Sequence, residues 1–128
     1  MVHVGTVVMG ASDVQRAAAF WKAALTYTER EPGTDDWVVL VAAEGPGVGV
    51  APGRSASPVR EVPRAHLDLH SATQEAEVER LIGLGADRVA WELYPPDPDF
   101  VVLAGTEGNR FCVIDTTHGG EGAAGLRG

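Results

Sequence analysis

The apolar positions of this chain switch between a period of two and a period near 3.6, and they do so twice in the same order. His3–Met9 is apolar and β-branched with no helical spacing, which predicts a strand. Ser12-Asp13-Val14-Gln15 then reads as a capping box. It predicts a helix over 13–25 with Val14, Ala17, Trp21 and Ala24 on one face. Tyr27–Glu31 reads as a short strand closed by Pro32-Gly33, and Trp37–Ala42 as a longer one. Glu44-Gly45-Pro46-Gly47 is a turn before a strand at Val48–Ala51. The second pass predicts a strand at Ala65–His70, a capping box at Ser71–Gln74 and a helix to about Leu84 with Gly85 as its cap. Strands at Arg88–Leu93, Phe100–Ala104 and Phe111–Asp115 follow, with the stiff loop Pro95-Pro96-Asp97-Pro98 between the first two.

The recurrence is visible in the letters themselves. Asp36-Trp37-Val38-Val39-Leu40-Val41-Ala42-Ala43-Glu44-Gly45 returns 63 residues later as Asp99-Phe100-Val101-Val102-Leu103-Ala104-Gly105-Thr106-Glu107-Gly108. Six of the ten positions are identical, and the aromatic second position is kept. This predicts an α+β chain of two βαβββ-like modules, at about 1–52 and 64–118, joined by a linker at 53–63 where Pro, Gly and Ser cluster. At 128 residues the two modules make one domain over 1–118. The Gly- and Ala-rich 119–128 reads as a flexible tail.

Composition narrows the function classes. With 45% hydrophobic residues the chain can build a core. Its net charge of −8 disfavours nucleic acid and anionic lipid as partners. Cys112 is the only cysteine, so no intrachain disulfide can form. The N-terminus lacks a signal-peptide pattern and no apolar run reaches the length of a membrane span, so a cytoplasmic location is expected.

Candidate chemistry concentrates in the second module. Along 65–70, Ala65, Leu67 and Leu69 alternate with His66, Asp68 and His70. That polar face is either a solvated sheet surface or a cavity wall in which two imidazoles flank a carboxylate, able to hold a metal or move protons. Cys112 shares a face of the last strand with Arg110 and Ile114. It reads as a small buried hydrophobe before it reads as a reactive thiol. Arg110 is either solvated or, on an internal face, a grip for a ligand carboxylate. Trp37, Trp91 and Phe100 are core fillers or the lining of an apolar pocket. The chain carries no phosphate loop, CxxC pair, HExxH or nucleophile elbow.

The order and spacing of several phrases resemble the vicinal oxygen chelate superfamily of glyoxalase I, bleomycin resistance proteins and extradiol dioxygenases. Phe20-Trp21 with Ala23-Ala24-Leu25 is similar to the first helix of its small glyoxalase-like members, and Arg64-Ala65-His66-Leu67-Asp68-Leu69 to the strand opening the second module. Leu84-Gly85-Ala86 and Glu107-Gly108-Asn109-Arg110-Phe111 resemble two further family phrases, so the likeness runs over about residues 2–116. The resemblance implies paired βαβββ modules whose curved mixed sheets enclose a cavity. It also implies a homodimer. In metal-dependent members each module gives one ligand from its first strand and one from its last. Carried onto this chain, those slots fall at Thr6, Gly49, His66 and Cys112. A glyoxalase-type centre needs His or Gln and Glu there, and only His66 qualifies.

The expectation is therefore a small-molecule binding protein with a degenerate metal site, holding an organic ligand as bleomycin resistance proteins do. Thr6, Trp37, Gly49, His70, Phe100, Arg110 and Cys112 are the expected ligand contacts. The alternative is a lyase or isomerase with His66 and Asp68 as acid/base groups. It would be metal-independent or, as a weaker reading, metal-dependent. No cofactor is expected under the first reading, with a divalent metal left open.

Overall fold

The computed structural model describes residues 1–118; the tail expected at 119–128 lies outside the described residues. The chain forms two compact units, Met1–Pro58 and Val59–Gly128. The first runs β1 (Thr6–Ala11), α1 (Val14–Leu25), β2 (Tyr27–Glu29), β3 (Leu40–Ala42) and β4 (Gly49–Arg54). Its four strands lie in the order β1-β4-β3-β2, with β1 parallel to β4 and the other neighbours antiparallel. The second runs β5 (Asp68–Ser71), α2 (Gln74–Gly83), β6 (Asp87–Arg88), β7 (Phe100–Ala104) and β8 (Arg110–Asp115). Its order is β5-β8-β7-β6, again with one parallel pair, β5–β8. Each unit is thus a βαβββ module with a four-stranded mixed sheet, and the fold is α+β as the repeated pattern predicts.

Each helix buries the face its periodicity marks. Val14, Ala17, Trp21 and Ala24 of α1 are buried, together with Ala18 and Phe20. α1 packs on β4, β2 and β3 of its own unit. Phe20 and Trp21 meet edge-on, with ring centroids 5.0 Å apart. Burying each of these side chains contributes roughly 2–3 kcal/mol. α2 buries Val78 and Leu81 and packs on β8 and β5.

The caps differ in detail from the sequence reading. Asp13, not Ser12, is the N-cap of α1 and accepts from the Arg16 backbone N–H at 3.0 Å. Gln15 leaves the cap and donates to the Thr34 carbonyl at 2.8 Å. The N-cap of α2 is Thr73, whose own N–H is held by the Ser71 hydroxyl at 2.9 Å. The end of α2 matches expectation. Gly85 adopts φ +121°, and the Ala86 and Gly85 N–H groups reach back to Leu81 and Ile82 at 3.0 Å. That pair of bonds is a Schellman motif, which needs a glycine-like conformation after the cap.

Several strands are displaced, and the reasons are local. β1 begins at Thr6 rather than His3 and continues to Ala11, because its parallel partner β4 runs on to Arg54. β4 therefore includes residues 53 and 54, which the sequence reading gave to the linker. Of Trp37–Ala42 only Leu40–Ala42 is a strand, and Trp37 makes one isolated bridge to Gly53. Val38 N–H donates to the Pro52 carbonyl at 3.1 Å, and Pro52 has no N–H to return. β6 stops at Arg88 instead of reaching Leu93. The Val102 N–H that would continue the ladder is taken by the Tyr94 hydroxyl at 2.8 Å, so 89–99 leaves the sheet as a loop.

Candidate functional site

The chemistry-bearing side chains of the second unit meet where β5 begins beside the middle of β8. Asp68 opens β5 and lies directly across from Cys112 of β8. The Cys112 N–H donates to the Leu67 carbonyl at 2.9 Å, so the ladder starts at this point and His66 precedes the strand. The expected strand at 65–70 is corrected to Asp68–Ser71, and His66 is held by its side chain rather than by a ladder. Its Nε2 sits 3.1 Å from Asp68 Oδ1, with side chains 20% and 32% exposed. One ligand-type atom from each of His66, Asp68 and Cys112 lies within 4.8 Å of the others.

Cys112 is fully buried, in a cluster with Trp91, Phe100, Val102 and Ile114. Phe100 and Val102 share its face of the sheet by strand alternation. Burial, then the nearby Asp68 and Asp99 carboxylates, push its thiol up to about 12. That shift keeps the thiol protonated at neutral pH, which agrees with the reading of a buried small hydrophobe.

Arg110 lies two residues before Cys112 on β8, on the same face by alternation. Its guanidinium carbon is 5.9 Å from the centroid of the Trp91 ring. Its Nη1 donates to the Glu61 carbonyl at 2.8 Å. The group is therefore held in place by a carbonyl and an aromatic face. Trp91 itself is 8% exposed, and its Nε1–H has no hydrogen-bond partner among the described residues. A buried indole donor without an acceptor costs free energy that a ligand acceptor would recover.

The remaining expected contacts fall elsewhere. His70 lies exposed on β5 across from Ile114, outside the His66–Asp68–Cys112 group. Phe100 is a core residue at 1% exposure that touches Tyr94. Thr6, Gly49 and Trp37 belong to the first unit, where Thr6 lies across from Gly49 on the β1–β4 pair. Trp37 is 44% exposed. A Cβ on Gly53 would meet its ring at 3.1 Å and Val8 at 3.8 Å, so the indole lies over the Val8 face of β1.

The two parallel pairs also correct the correspondence between modules. The 63-residue shift carries Gly49 to Cys112, and their ladder partners are Thr6 and Asp68. By sheet register Asp68, not His66, is the counterpart of Thr6. The resemblance pairs His66 with Thr6 because each stands seven residues before an N-cap, Thr73 and Asp13, whereas Asp68 stands five before Thr73.

A family profile described as a glyoxalase-like domain matches residues 6–114. The chain belongs to the glyoxalase-like domain family. Solved structures share the fold of this glyoxalase-like protein at low identity. The fosfomycin resistance protein FosX of Listeria monocytogenes is 13% identical over 91% of this chain and 93% of its own, with a TM-score of 0.70. A mutant of that protein has been solved with Mn(II) and 1S,2S-dihydroxypropylphosphonic acid. A glyoxalase/bleomycin resistance protein/dioxygenase family enzyme of Burkholderia phytofirmans PsJN is 16% identical over 88% and 97% of the two chains, with a TM-score of 0.65. A glyoxalase-related enzyme of Fulvimarina pelagi is 14% identical over 89% and 88%, with a TM-score of 0.64. None of the curated proteins compared matches the sequence.

The four-ligand centre implied by the wider family does not fit this glyoxalase-like chain. Thr6 offers only a hydroxyl. A Cβ at Gly49 would lie 3.2 Å from the Leu40 carbonyl and 3.3 Å from both the Gly5 carbonyl and Thr6 Oγ1. Position 49 is closely packed, and a side chain there must shift these neighbours by a few tenths of an ångström. Three side chains of the second unit remain as the potential ligand group.

Proposed function

We propose that this glyoxalase-like protein binds a small organic molecule bearing an anionic or carbonyl oxygen, and that it does so without a family-type four-ligand metal centre. The observation that carries the reading is the Arg110–Trp91 pair: a positioned guanidinium over a buried indole whose N–H has no acceptor among the described residues. Among the described residues, Arg110 spends one of its five donors on Glu61, so others remain for a ligand oxygen. Phe100 and Cys112 share a buried cluster with Trp91, and His66 and Asp68 lie near Cys112. On the first unit, Thr6 and Trp37 offer a separate contact surface. FosX, whose mutant was solved with a small phosphonic acid, lends support by fold alone.

The His66–Asp68 hydrogen-bonding distance of 3.1 Å favours a second reading. In it the imidazole is the acid/base group of a lyase or isomerase and Asp68 orients it. One experiment separates the two. The full chain is screened by thermal shift against small carboxylates and phosphonates, and each hit is incubated with protein and followed by NMR. A ligand that raises Tm and is recovered unchanged supports binding alone. Turnover that disappears in His66→Ala supports the acid/base reading. No shift from any acid, with an equal response in Arg110→Ala, overturns the proposal.

The same reading makes residues 1–118 one domain of two modules, working in the cytoplasm as a homodimer. Sedimentation at micromolar concentration tests the dimer, and a monomer there removes that element. Among the described residues no helix is long and apolar enough to cross a membrane.

A further inference from the structure

We infer that residues 59–64 are a strap that positions Arg110 for an acidic ligand, and that a bound acid tightens the strap in return. The inference rests on the acid-binding reading of Arg110 and adds what sets its guanidinium in place. The segment precedes β5 in the second unit and belongs to no strand or helix. Two contacts hold it on the turn and strand that carry Arg110. The Glu61 carbonyl accepts from Arg110 Nη1 at 2.8 Å. At the start of the segment Val59 lies against Gly108, where a Cβ would meet its two methyl carbons at 3.4 and 3.7 Å. Gly108 stands at φ +87° in the turn before β8, so that turn presents bare backbone to Val59. Pro63 fixes one backbone angle inside the strap.

The guanidinium is thereby gripped from two sides before any ligand arrives. Glu61 holds Nη1, and the Trp91 ring centroid lies 5.9 Å from the guanidinium carbon. An arginine side chain has many rotamers, and a ligand that must order one loses affinity. Here the strap and the indole have already removed that freedom. The engaged donor also matters. With Nη1 turned to a backbone carbonyl, Nε and Nη2 remain, a pair that can meet a carboxylate in two parallel hydrogen bonds. Strap and acid thus use different donors and can be held together. Charge points the same way. The strap carries Arg60 and Arg64 against Glu61, which adds net positive charge near Arg110 in a chain of net charge −8.

Linkage fixes the sign of the coupling. A held strap that raises acid affinity by some factor is itself held more firmly, by the same factor, when acid is bound. Were acid and carbonyl rivals for one donor, the acid would instead release the strap. The exposed Arg60 and Arg64 make the state of the strap readable, since trypsin cuts after each.

The test follows trypsin cleavage of the full chain by mass spectrometry, with benzoate and its neutral isostere benzamide as probes. In Arg110→Ala, cleavage after Arg60 and Arg64 should speed up by roughly tenfold, the worth of one hydrogen bond from a charged group. Cleavage after Arg80, within α2 of the same unit, should keep its wild-type rate. Saturating benzoate should slow both strap cuts in wild type and neither in Arg110→Ala, and benzamide should slow none. Val59→Ser combined with Pro63→Gly loosens the strap and leaves Arg110 in the chain. This double variant should bind benzoate roughly threefold to tenfold more weakly by calorimetry, with benzamide unaffected. Strap cuts as slow in Arg110→Ala as in wild type, a general speeding that includes Arg80, or faster strap cuts with benzoate overturn the inference. If wild type does not prefer benzoate to benzamide, the acid-binding reading fails and the strap has nothing to position. If the preference is lost in Arg110→Ala but kept in full by the double variant, the strap inference alone fails.

Discussion

Thr6 lies directly across from Gly49 on the parallel β1–β4 pair, and a Cβ on Gly49 would press on backbone carbonyls and on Thr6 Oγ1. The Leu40 carbonyl at 3.2 Å and the Gly5 carbonyl at 3.3 Å would both have to give way. Gly49→Ala is expected to destabilise the protein by about 1–3 kcal/mol, the usual cost of overpacking. Urea unfolding measures it as a lower midpoint at unchanged slope. A neutral or stabilising result would mean that position 49 is open to a side chain.

The register around Gly49 bears on how far sequence reasoning reached. The helices and β7 were legible because periodicity, caps and the repeated Asp-aromatic-Val-Val-Leu phrase mark them directly. α1 buries the face marked by Val14, Ala17, Trp21 and Ala24, and Phe100–Ala104 is the strand expected. The first strands were less legible. Alternation at Ala65–His70 continues beyond the paired segment, and pairing with β8 rather than alternation sets the start at Asp68. The approach of Asp68 to Cys112 was hidden by unequal connections before the two helices. Trp91 sits in a segment whose pattern predicts a strand, and its place under Arg110 depends on the 89–99 loop leaving the sheet, where the Tyr94 hydroxyl takes a backbone N–H. Tyr94 and the proline run were the only sequence signals of that departure.

Cys112 gives the protein a sensitivity to alkali. Its thiol is pushed from the ordinary 9.0 up to about 12 in the folded chain, first by burial and then by Asp68 and Asp99. Below pH 9 both folded and unfolded chains hold the proton, and the stabilisation is fully present. Between 9 and 12 only the unfolded chain gives the proton up, so stability falls as pH rises. The loss across that window is on the order of a few kcal/mol. The stability difference between wild type and Cys112→Ala, followed by urea titration from pH 8 to 11, should shrink steadily. A difference independent of pH would show that the buried thiol ionises normally.

Thr26 caps α1 with φ +56°, the left-handed region that β-branched residues avoid. Its N–H still reaches the Lys22 carbonyl, so the conformation is held by the helix end. Thr26→Gly removes the Cβ conflict and is expected to raise stability by roughly 0.5–1 kcal/mol, offset in part by the freedom of glycine in the unfolded chain. Thermal unfolding should show a higher Tm. A fall would indicate that the threonine side chain makes a compensating contact.

Arg110 separates ligand recognition from folding. Arg110→Ala removes the guanidinium over Trp91 and the bond to Glu61, whereas Arg110→Lys keeps the charge without the planar fork. Under the proposed function, acidic ligands should lose roughly tenfold or more in affinity in Arg110→Ala, as expected for a charge-assisted hydrogen bond of about 1.5–3 kcal/mol, while neutral ligands lose less. Calorimetry on matched acid and amide pairs reads the difference. Equal losses would assign Arg110 a packing role.

Gln74 offers the sharpest test of how the second unit is held together. Its Nε2 donates to the Asp99 carbonyl at 3.1 Å and to the Val113 carbonyl at 2.9 Å, tying the start of α2 to the approach of β7 and to β8. The capping-box pattern at Ser71–Gln74 assigns Gln74 to the helix start, but its amide serves two carbonyls distant in the chain. Gln74→Ala removes both of these bonds in a part-buried setting, the Asp99 carbonyl keeping the Asp115 N–H at 2.7 Å, at an expected cost of about 1–3 kcal/mol for two hydrogen bonds. Gln74→Glu places a carboxylate against two carbonyl oxygens and should cost more, because neither carbonyl can donate to it. Denaturant unfolding should therefore rank wild type above Gln74→Ala and Gln74→Ala above Gln74→Glu. The gap between the variants should narrow below pH 4, where a protonated carboxyl regains one donor. If Gln74→Glu equals wild type at neutral pH, the two hydrogen bonds do not hold the unit.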